Sequence, residues 1–305
     1  MVEEVVSRCG LEAGAVRFLA QGSTSRVWWA ETQAGSVVVR LADPAPGKTV
    51  SFAADVGLRK RLHPIDRRVA EPLGLGILQP TTSSTDAAVA WCLDRFIVGE
   101  TAPRGGIPET VCYELGQVLS SLHALPTQRY GLLCDRQDAC VGQAPDPVGG
   151  LLTRLQDPWP FTRCGLGEHP IFAVAPDLLP QLAPFENRLR ALVLGQPQCL
   201  NHTDLHERQA LIVDGHLVGL LDFGDATIGP SVWDIASFGY FHGWRLAEVL
   251  LTGYSRDAPL RRQLLAEAQL FALLIALHHA SRAVTLGRPS RMEQAVRFLR
   301  LTLSA

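Results

Sequence analysis

Lysine is almost missing from this 305-residue chain: of 28 basic residues only Lys48 and Lys60 are lysines, and the rest are arginine. Neither sign of charge is in excess. The 28 basic and 30 acidic residues leave a net charge of −2, without the basic surplus or stripe of a nucleic-acid binder. Paired cysteine motifs are lacking too. Cys9, Cys92, Cys112, Cys134, Cys140, Cys164 and Cys199 are odd in number and scattered, which argues against a disulfide framework or a zinc ribbon and for reduced thiols. The first residues, Met1–Val5, are acidic where an export signal is basic, and no apolar segment follows. The most hydrophobic stretch, Leu264–Ala280, contains Glu267 and Gln269 and falls short of a membrane span. These absences predict a cytoplasmic protein, a monomer or homodimer, with no nucleic-acid or membrane partner.

What is present divides along the chain. Strand-like runs at Ala15–Ala20, Val27–Thr32 and Ser36–Ala42 are broken by the turn Gln33–Gly35. A proline-rich stretch, Asp43–Gly47, leads into a helical pattern over Thr49–Leu62. Two more strands are predicted at Glu71–Leu78 and Ala87–Phe96, either side of the polar turn Thr81–Thr85. Beyond residue 100 the period changes. Pro108 suits a first helical turn, and Val111, Leu115, Val118, Leu119 and Leu122 then share one face. Residues 126–200 are rich in proline and glycine at first, then helical near Leu178–Leu194. Asp214-Gly215 between Ala210–Val213 and Leu217–Leu221 marks a hairpin, and residues 231–305 read as all helix. The pattern predicts an α+β protein with a small antiparallel-sheet lobe over 1–95 and a larger, mainly helical lobe over 96–305.

The segment from Asn201 to Asp225 carries the chemistry. Phosphoryl transfer from a nucleotide needs a carboxylate to orient the acceptor hydroxyl and take its proton, and oxygen ligands that hold Mg²⁺ against the phosphates. Carboxylates stand at Asp204 and Asp222 and an amide oxygen at Gln209, each at the edge of a short strand. A hairpin holds such groups rigidly.

In these residues the chain resembles the aminoglycoside-phosphotransferase and choline-kinase-like families, which share the protein-kinase fold. Their H-x-D-L-H-x-x-N signature, a D-x-G-type metal motif and G-x-x-x-x-D-[LI]-A are matched in order. The matching residues are His202, Asp204, Leu205, His206 and Gln209; Asp222, Phe223, Gly224 and Asp225; and Gly229, Asp234, Ile235 and Ala236. The resemblance implies an ATP- or GTP-dependent, Mg²⁺-dependent antibiotic O-phosphotransferase with Asp204 as catalytic base and Gln209 and Asp222 as metal ligands. It implies that Asp234 buttresses the catalytic loop and that His202 and His206 hold it together. It also makes Gln21–Ser25, with Gly22, Ser23, Thr24 and Ser25, the phosphate-covering loop, and Leu93, Asp94 and Arg95 the hinge that meets the nucleotide base.

Two positions depart from the family pattern. Its third strand presents lysine, paired with a glutamate on the next helix; here stand Arg40 and Asp55. Arginine reaches further and aspartate less far, so the swap preserves the span of the pair, although a fork replaces a compact charge. The second departure is Gln209 for asparagine, one methylene longer. Together they leave open a catalytically silent, nucleotide-binding pseudokinase. A metabolic kinase of sugar, choline or homoserine type also stays open, and H-x-D-x-H is compatible with zinc held by His202, Asp204 and His206, with His278 and His279. None of the cysteines has a nucleophile motif.

The acceptor is a small hydroxyl compound. From Ala226 to the end stand nine arginines and five carboxylates, a net of +4, where a pocket for a polycationic aminoglycoside needs acids. With the aromatic cluster Tyr240, Phe241, Trp244 and Tyr254, this favours a neutral or acidic acceptor of sugar, nucleoside or macrolide type.

Overall fold

The structure, a computed structural model, describes residues 1–22, 24–43, 50–79, 88–102, 106–156, 158–162 and 165–303. Ser23, Pro44–Thr49, the expected turn Thr81–Thr85 and Cys164 lie outside these residues.

A short helix α1 (Val2–Arg8) precedes β1 (Ala13–Gln21), β2 (Ser25–Thr32) and β3 (Val37–Ala42). Then come α2 (Ala53–Leu62), β4 (Pro72–Leu78) and β5 (Val89–Arg95). The strands form one antiparallel sheet in the order β1-β2-β3-β5-β4. Side chains alternate across it. Val37, Val39, Leu41, Trp91 and Leu93 pack with Val5 and Val6 of α1 on one face. On the other, Ala42 and Cys92 pack with Phe52 and Val56 at the start of α2. Arg40 and Asp94 belong to this second face by the same period of two. The register Arg40↔Cys92 and Val38↔Asp94 makes them diagonal neighbours.

β6 (Glu100–Thr101) leads to α3 (Glu109–His123). The stretch that reads as irregular then builds β7 (Thr127–Gln128), β8 (Tyr130–Leu133), β9 (Cys140–Ala144) and α4 (Pro147–Arg154). Short helical turns, α5 (Leu179–Leu182) and α6 (Glu186–Gly195) follow. The active segment is framed by β10 (Gln198–Asn201), β11 (Ala210–Val213), β12 (His216–Leu220) and β13 (Thr227–Pro230). β10, β13, β8, β9 and β7 form a second five-stranded sheet, and β12, β11 and β6 a third. The chain ends in α7 (Trp233–His242), α8 (Trp244–Tyr254), α9 (Ala258–Thr285) and α10 (Pro289–Leu303).

α3 and α8 cross so closely that a Cβ at Gly116 would lie 2.0 Å from Leu250 O, and one at Gly253 would lie 1.8 Å from Tyr113 O. Only glycine fits these positions. The crossing sets His123 against Tyr254, with His123 Nδ1 3.0 Å from the phenol oxygen. α9 outruns the Leu264–Ala280 core read from the sequence. At 28 residues it is, among the described residues, the one helix long and apolar enough to cross a membrane, and Phe271–His278 are buried in the main core.

Candidate active site

The segment from Asn201 to Asp225 folds as a tight loop between β10 and β11, the β11–β12 hairpin and a turn after β12, and a strained residue shapes each turn. Thr203 (φ 68°) and Asp222 (φ 65°) are left-handed without being glycine, a conformation that persists only where the surroundings over-determine it. At Thr203 they do. Its N–H donates to Asp234 Oδ1 at 2.7 Å, its hydroxyl donates to Asp225 O at 3.0 Å, and Arg154 Nε donates to that hydroxyl at 3.3 Å. Asp234, fully buried at the start of α7, also accepts from His202 N–H at 2.8 Å. One carboxylate thus pins two successive amides, and His123 Nε2 lies 3.1 Å from it.

The histidines act within the loop. His202 Nε2–H donates to Leu221 O at 2.8 Å, tying the loop to the strand that leads into Asp222, and its Nδ1 faces the Asp204 N–H at 3.4 Å. His206 Nδ1 accepts from Arg208 N–H at 3.2 Å, and its Nε2 lies 3.5 Å from Asp204 Oδ2. Gln209 Nε2 donates to Asp222 Oδ2 at 3.2 Å. Asp204, Gln209 and Asp222 all line one cleft of about 680 Å³ between the N-terminal sheet and the helical region. Turning the Gln209 amide over exchanges two nearly isosteric atoms and presents Oε1 beside the Asp222 carboxylate. Two hard oxygens there fit a Mg²⁺ that takes its remaining ligands from phosphates and water. Among the described residues no group of three His, Cys, Asp or Glu forms a metal site, and the bond from His202 to Leu221 O engages the ring that the zinc reading requires.

At the cleft's upper wall Arg40 is held by two carboxylates. Its Nη2 donates to Asp55 Oδ2, and its Nε donates to Asp94 Oδ2 at 3.2 Å. Arg59, one turn after Asp55 on α2, closes the set. Its Nε donates to Asp55 Oδ1 and its Nη1 to Asp94 Oδ1, both at 2.8 Å. Two cations and two anions therefore form a neutral cluster. Burial opposes ionisation of Asp55, but Arg40 and Arg59 outweigh it and hold the carboxyl below its ordinary range. Burial in turn pushes the neighbouring Cys92 thiol far up. The Arg40 guanidinium lies over the Phe52 ring at 5.1 Å and still lines the cleft. Arg59 and the side chain of Asp94 escape a reading of the sequence. The signal for Arg59 is its i,i+4 spacing from Asp55; Asp94 depends on pairing strands 54 residues apart.

The linker to the helical region differs from the expected hinge. β5 runs through Arg95, paired with β3 and β4 on its two sides. Arg95 N–H donates to Glu71 O at 2.8 Å and Phe96 N–H to Ser36 O at 3.1 Å. The backbone of Leu93–Arg95 is thus held inside the sheet, and the next residues, 96–99, belong to no strand. Phe96, Ile97 and Gly99 face the cleft there. The Asp94 side chain serves the ion cluster, and Arg95 Nη1 donates to Ala34 O at 2.7 Å. Across the cleft, the β1–β2 turn contributes Gln21, Gly22 and Ser25 to the lining, closed by Gly22 N–H donating to Ser25 O at 2.8 Å. Thr24 accepts the Asp43 N–H at 2.8 Å through its carbonyl.

On the other side of Asp204, a cavity of about 30 Å³ is lined by Arg154, Thr203, Ser237, His278 and His279, room for about one water or hydroxyl. His279 stacks on Tyr240 with centroids 4.7 Å apart. Tyr240 and Phe241 form one wall of a second, larger cavity of about 720 Å³, completed by Trp244, Phe298, Arg188 and Arg297. Among the described residues no carboxylate lines it.

A kinase-like fold, a carboxylate beside two metal-capable oxygens and a cleft floored by both define a small-molecule kinase, an enzyme that phosphorylates a hydroxyl. The model of the APH phosphotransferase enzyme family matches residues 15–266, and the chain belongs to that family. A search of the curated proteins returns no match. Among solved structures, the chain is similar to a thermostable mutant of the aminoglycoside phosphotransferase APH(4)-Ia in ternary complex with ADP and hygromycin B. That likeness has a TM-score of 0.60 and 16% identity and covers 98% of both chains. It is also similar to the macrolide 2'-phosphotransferase MphH from Brachybacterium faecium (0.56, 18%, 98% of this chain and 96% of that one). A third likeness is to a fructosamine-3-kinase from Thermobifida fusca described as putative (0.59, 17%, 97% and 100%). At these identities the likeness speaks to the fold.

Proposed function

We propose that the chain transfers the γ-phosphoryl group of ATP or GTP, with Mg²⁺, to a hydroxyl of a small antibiotic-like molecule in the cytoplasm. Neutral or acidic acceptors of sugar, nucleoside or macrolide type are favoured over polycationic aminoglycosides. The observation that carries this reading is the place of Asp204, which lines both the 680 Å³ cleft and the hydroxyl-sized cavity behind it. Residues 1–95 serve as the nucleotide lobe and 96–305 as the catalytic and acceptor lobe.

Asp204 orients the acceptor hydroxyl and takes its proton as the new oxygen–phosphorus bond forms and the bond to the departing nucleoside diphosphate breaks. His206 holds that carboxylate from one side. Arg40, fixed by Asp55 and Asp94, faces the phosphates, and Gly22, Thr24 and Ser25 cover them. Gln209 and Asp222 are the residues that would hold Mg²⁺, which when bound neutralises phosphate charge. The acid-free lining of the aromatic cavity supports the acceptor preference. The likeness to a fructosamine-3-kinase supports a second reading, a metabolic sugar kinase.

Asp204→Asn tests the proposal. The variant should lose about 100- to 10,000-fold in turnover, the usual worth of a general base. It should keep the Mg²⁺-dependent thermal stabilisation by nucleotide, about 2.7 kcal/mol at a hundredfold excess over Kd. Stabilisation without turnover in the wild type would point to a pseudokinase, and no stabilisation by ATP or GTP would end the functional reading.

A further inference from the structure

The reading above admits both neutral and acidic acceptors, and the arginines beyond Asp204 distinguish them. Arg282 lies in the last turn of α9, Arg288 between α9 and α10, and Arg291 in the first turn of α10. Among the described residues none of the three has a carboxylate within ion-pair distance or a side-chain hydrogen bond. At the far end of α10, by contrast, Arg300 is forked onto Asp177 at 2.9 and 3.2 Å. The tight turn between α9 and α10 draws the three together: Leu286 N–H donates to Arg282 O at 3.0 Å, Arg288 N–H to Ala283 O at 2.8 Å and Arg291 N–H to Arg288 O at 3.1 Å. Burial, then Arg288 and Arg282, pull the Arg291 guanidinium below its ordinary range.

This cluster follows directly on the cavity at Asp204: Arg282 lies one helical turn past His278 and His279 on α9, and both histidines line that cavity with Asp204. Tyr240 and Asp204 act on the Arg291 guanidinium, and Arg291, Arg154 and Arg282 all act on His279, which lines the hydroxyl-sized cavity with Asp204. The nearer cations are differently engaged. Arg154 is spent on Asp225, with Nη2 to Oδ2 at 2.9 Å, and on Thr203. His278 accepts the Gln156 N–H at its Nδ1 at 2.8 Å. Burial, with the surrounding arginines, holds both His278 and His279 neutral. A polyamine approaching Asp204 from this side would meet three guanidiniums that have no ion-pair partner among the described residues.

Resting on the phosphotransferase reading, we propose that the acceptor carries an anionic group, a carboxylate or a phosphate ester, which Arg282, Arg288 and Arg291 bind while its hydroxyl enters the cavity at Asp204. Guanidinium forks match both anions bidentately, and such a ligand relieves the repulsion among the three.

The test uses four matched sugars: glucose, glucuronate, glucose 6-phosphate and glucosamine. Binding is measured by calorimetry on the full chain loaded with Mg²⁺ and a non-hydrolysable ATP analogue, at fixed ionic strength, and turnover is followed by mass gain with ATP. Glucuronate or glucose 6-phosphate should bind at least tenfold more tightly than glucose, with glucosamine weakest; whichever anion leads names the group. The double variant Arg282→Gln, Arg291→Gln should reduce that preference at least tenfold while its melting temperature and nucleotide affinity hold. No charge preference across the panel, a preference for glucosamine, or a preference unchanged in the double variant overturns the proposal. An anion that binds with the expected preference but gains no phosphate leaves the anion site standing and counts against the phosphotransfer reading instead.

Discussion

The chain concentrates arginine in two places around Asp204, the proposed catalytic carboxylate, and treats them in opposite ways. Arg40 and Arg59 lie against the sheet, and every charge is met: Asp55 and Asp94 each accept from both. Arg282, Arg288 and Arg291 sit at the turn between two terminal helices, and no described carboxylate meets them. Burial explains the difference. The Arg59 side chain is 4% exposed, and an unpaired charge there would cost several kcal/mol. Arg288 is exposed and Arg282 and Arg291 are only half-buried, so water meets much of the cost. A saturated cluster fixes the direction in which Arg40 faces the cleft; an unsaturated one can read the charge of a ligand. In the proposed function the nucleotide side needs a fixed cation because its substrate is constant, and the acceptor side is where selectivity lies.

The sharpest way to break this comparison is to unbalance the paired cluster. Arg59→Met keeps much of the side chain's length but leaves Asp55 and Asp94 with Arg40 alone. Removing one partner of a buried ion network costs about 3–5 kcal/mol, so chemical denaturation should show a loss of that size. Nucleotide stabilisation should fall with it, because Asp55 and Asp94 would no longer be held to orient Arg40. A loss under about 1 kcal/mol would show that the cluster is ornamental to the fold.

How much of this cluster was legible in the sequence shows what local patterns carry. Arg40 facing Asp55 follows from a strand and the helix after it, and the strands of the first hundred residues fall within a few residues of their alternating patterns. The catalytic loop is legible for the same reason: His202, Asp204, Gln209, Asp222 and Asp234 lie within 33 residues, and their spacing is itself the motif. Asp94 is different. Its backbone reads as a hinge, yet β5 extends through Arg95 because β3 and β4 pair with it on both sides, and only that register aims the carboxylate at Arg40. The sheet of β7, β8 and β9 was hidden because its strands run two to five residues, too short for alternation to show. α1 was missed because its seven residues carry one buried pair, Val5 and Val6.

The unpaired cluster has its own signature, smaller and dependent on pH. Burial, with Arg291 and Arg154 adding to it, pulls the His279 imidazole down to about 3 from an ordinary value near 6.5. Below pH 6.5 the unfolded chain takes up a proton that the folded chain refuses, so stability falls as the pH drops from 6.5 toward 3. At pH 5.5 the loss from this one residue is about 1.4 kcal/mol. His279→Gln should therefore lose less between pH 7.5 and 5.5 than the parent does, in the change of unfolding free energy. An equal loss in the two proteins would mean that His279 is protonated in place.

The smallest effect discriminates best between the two clusters. Arg291→Gln removes one of three mutually repelling charges and breaks no ion pair among the described residues. Substitutions outside buried networks usually change stability by no more than about 0.5 kcal/mol, and relief of repulsion biases the sign toward stabilisation. Unfolding at low ionic strength should thus show Arg291→Gln unchanged or slightly more stable, and added salt, which screens the repulsion, should shrink the gain. A loss near that of Arg59→Met would mean that Arg291 holds the fold as Arg59 does. The contrast between a cation that builds the site and a cation that reads the ligand would then collapse.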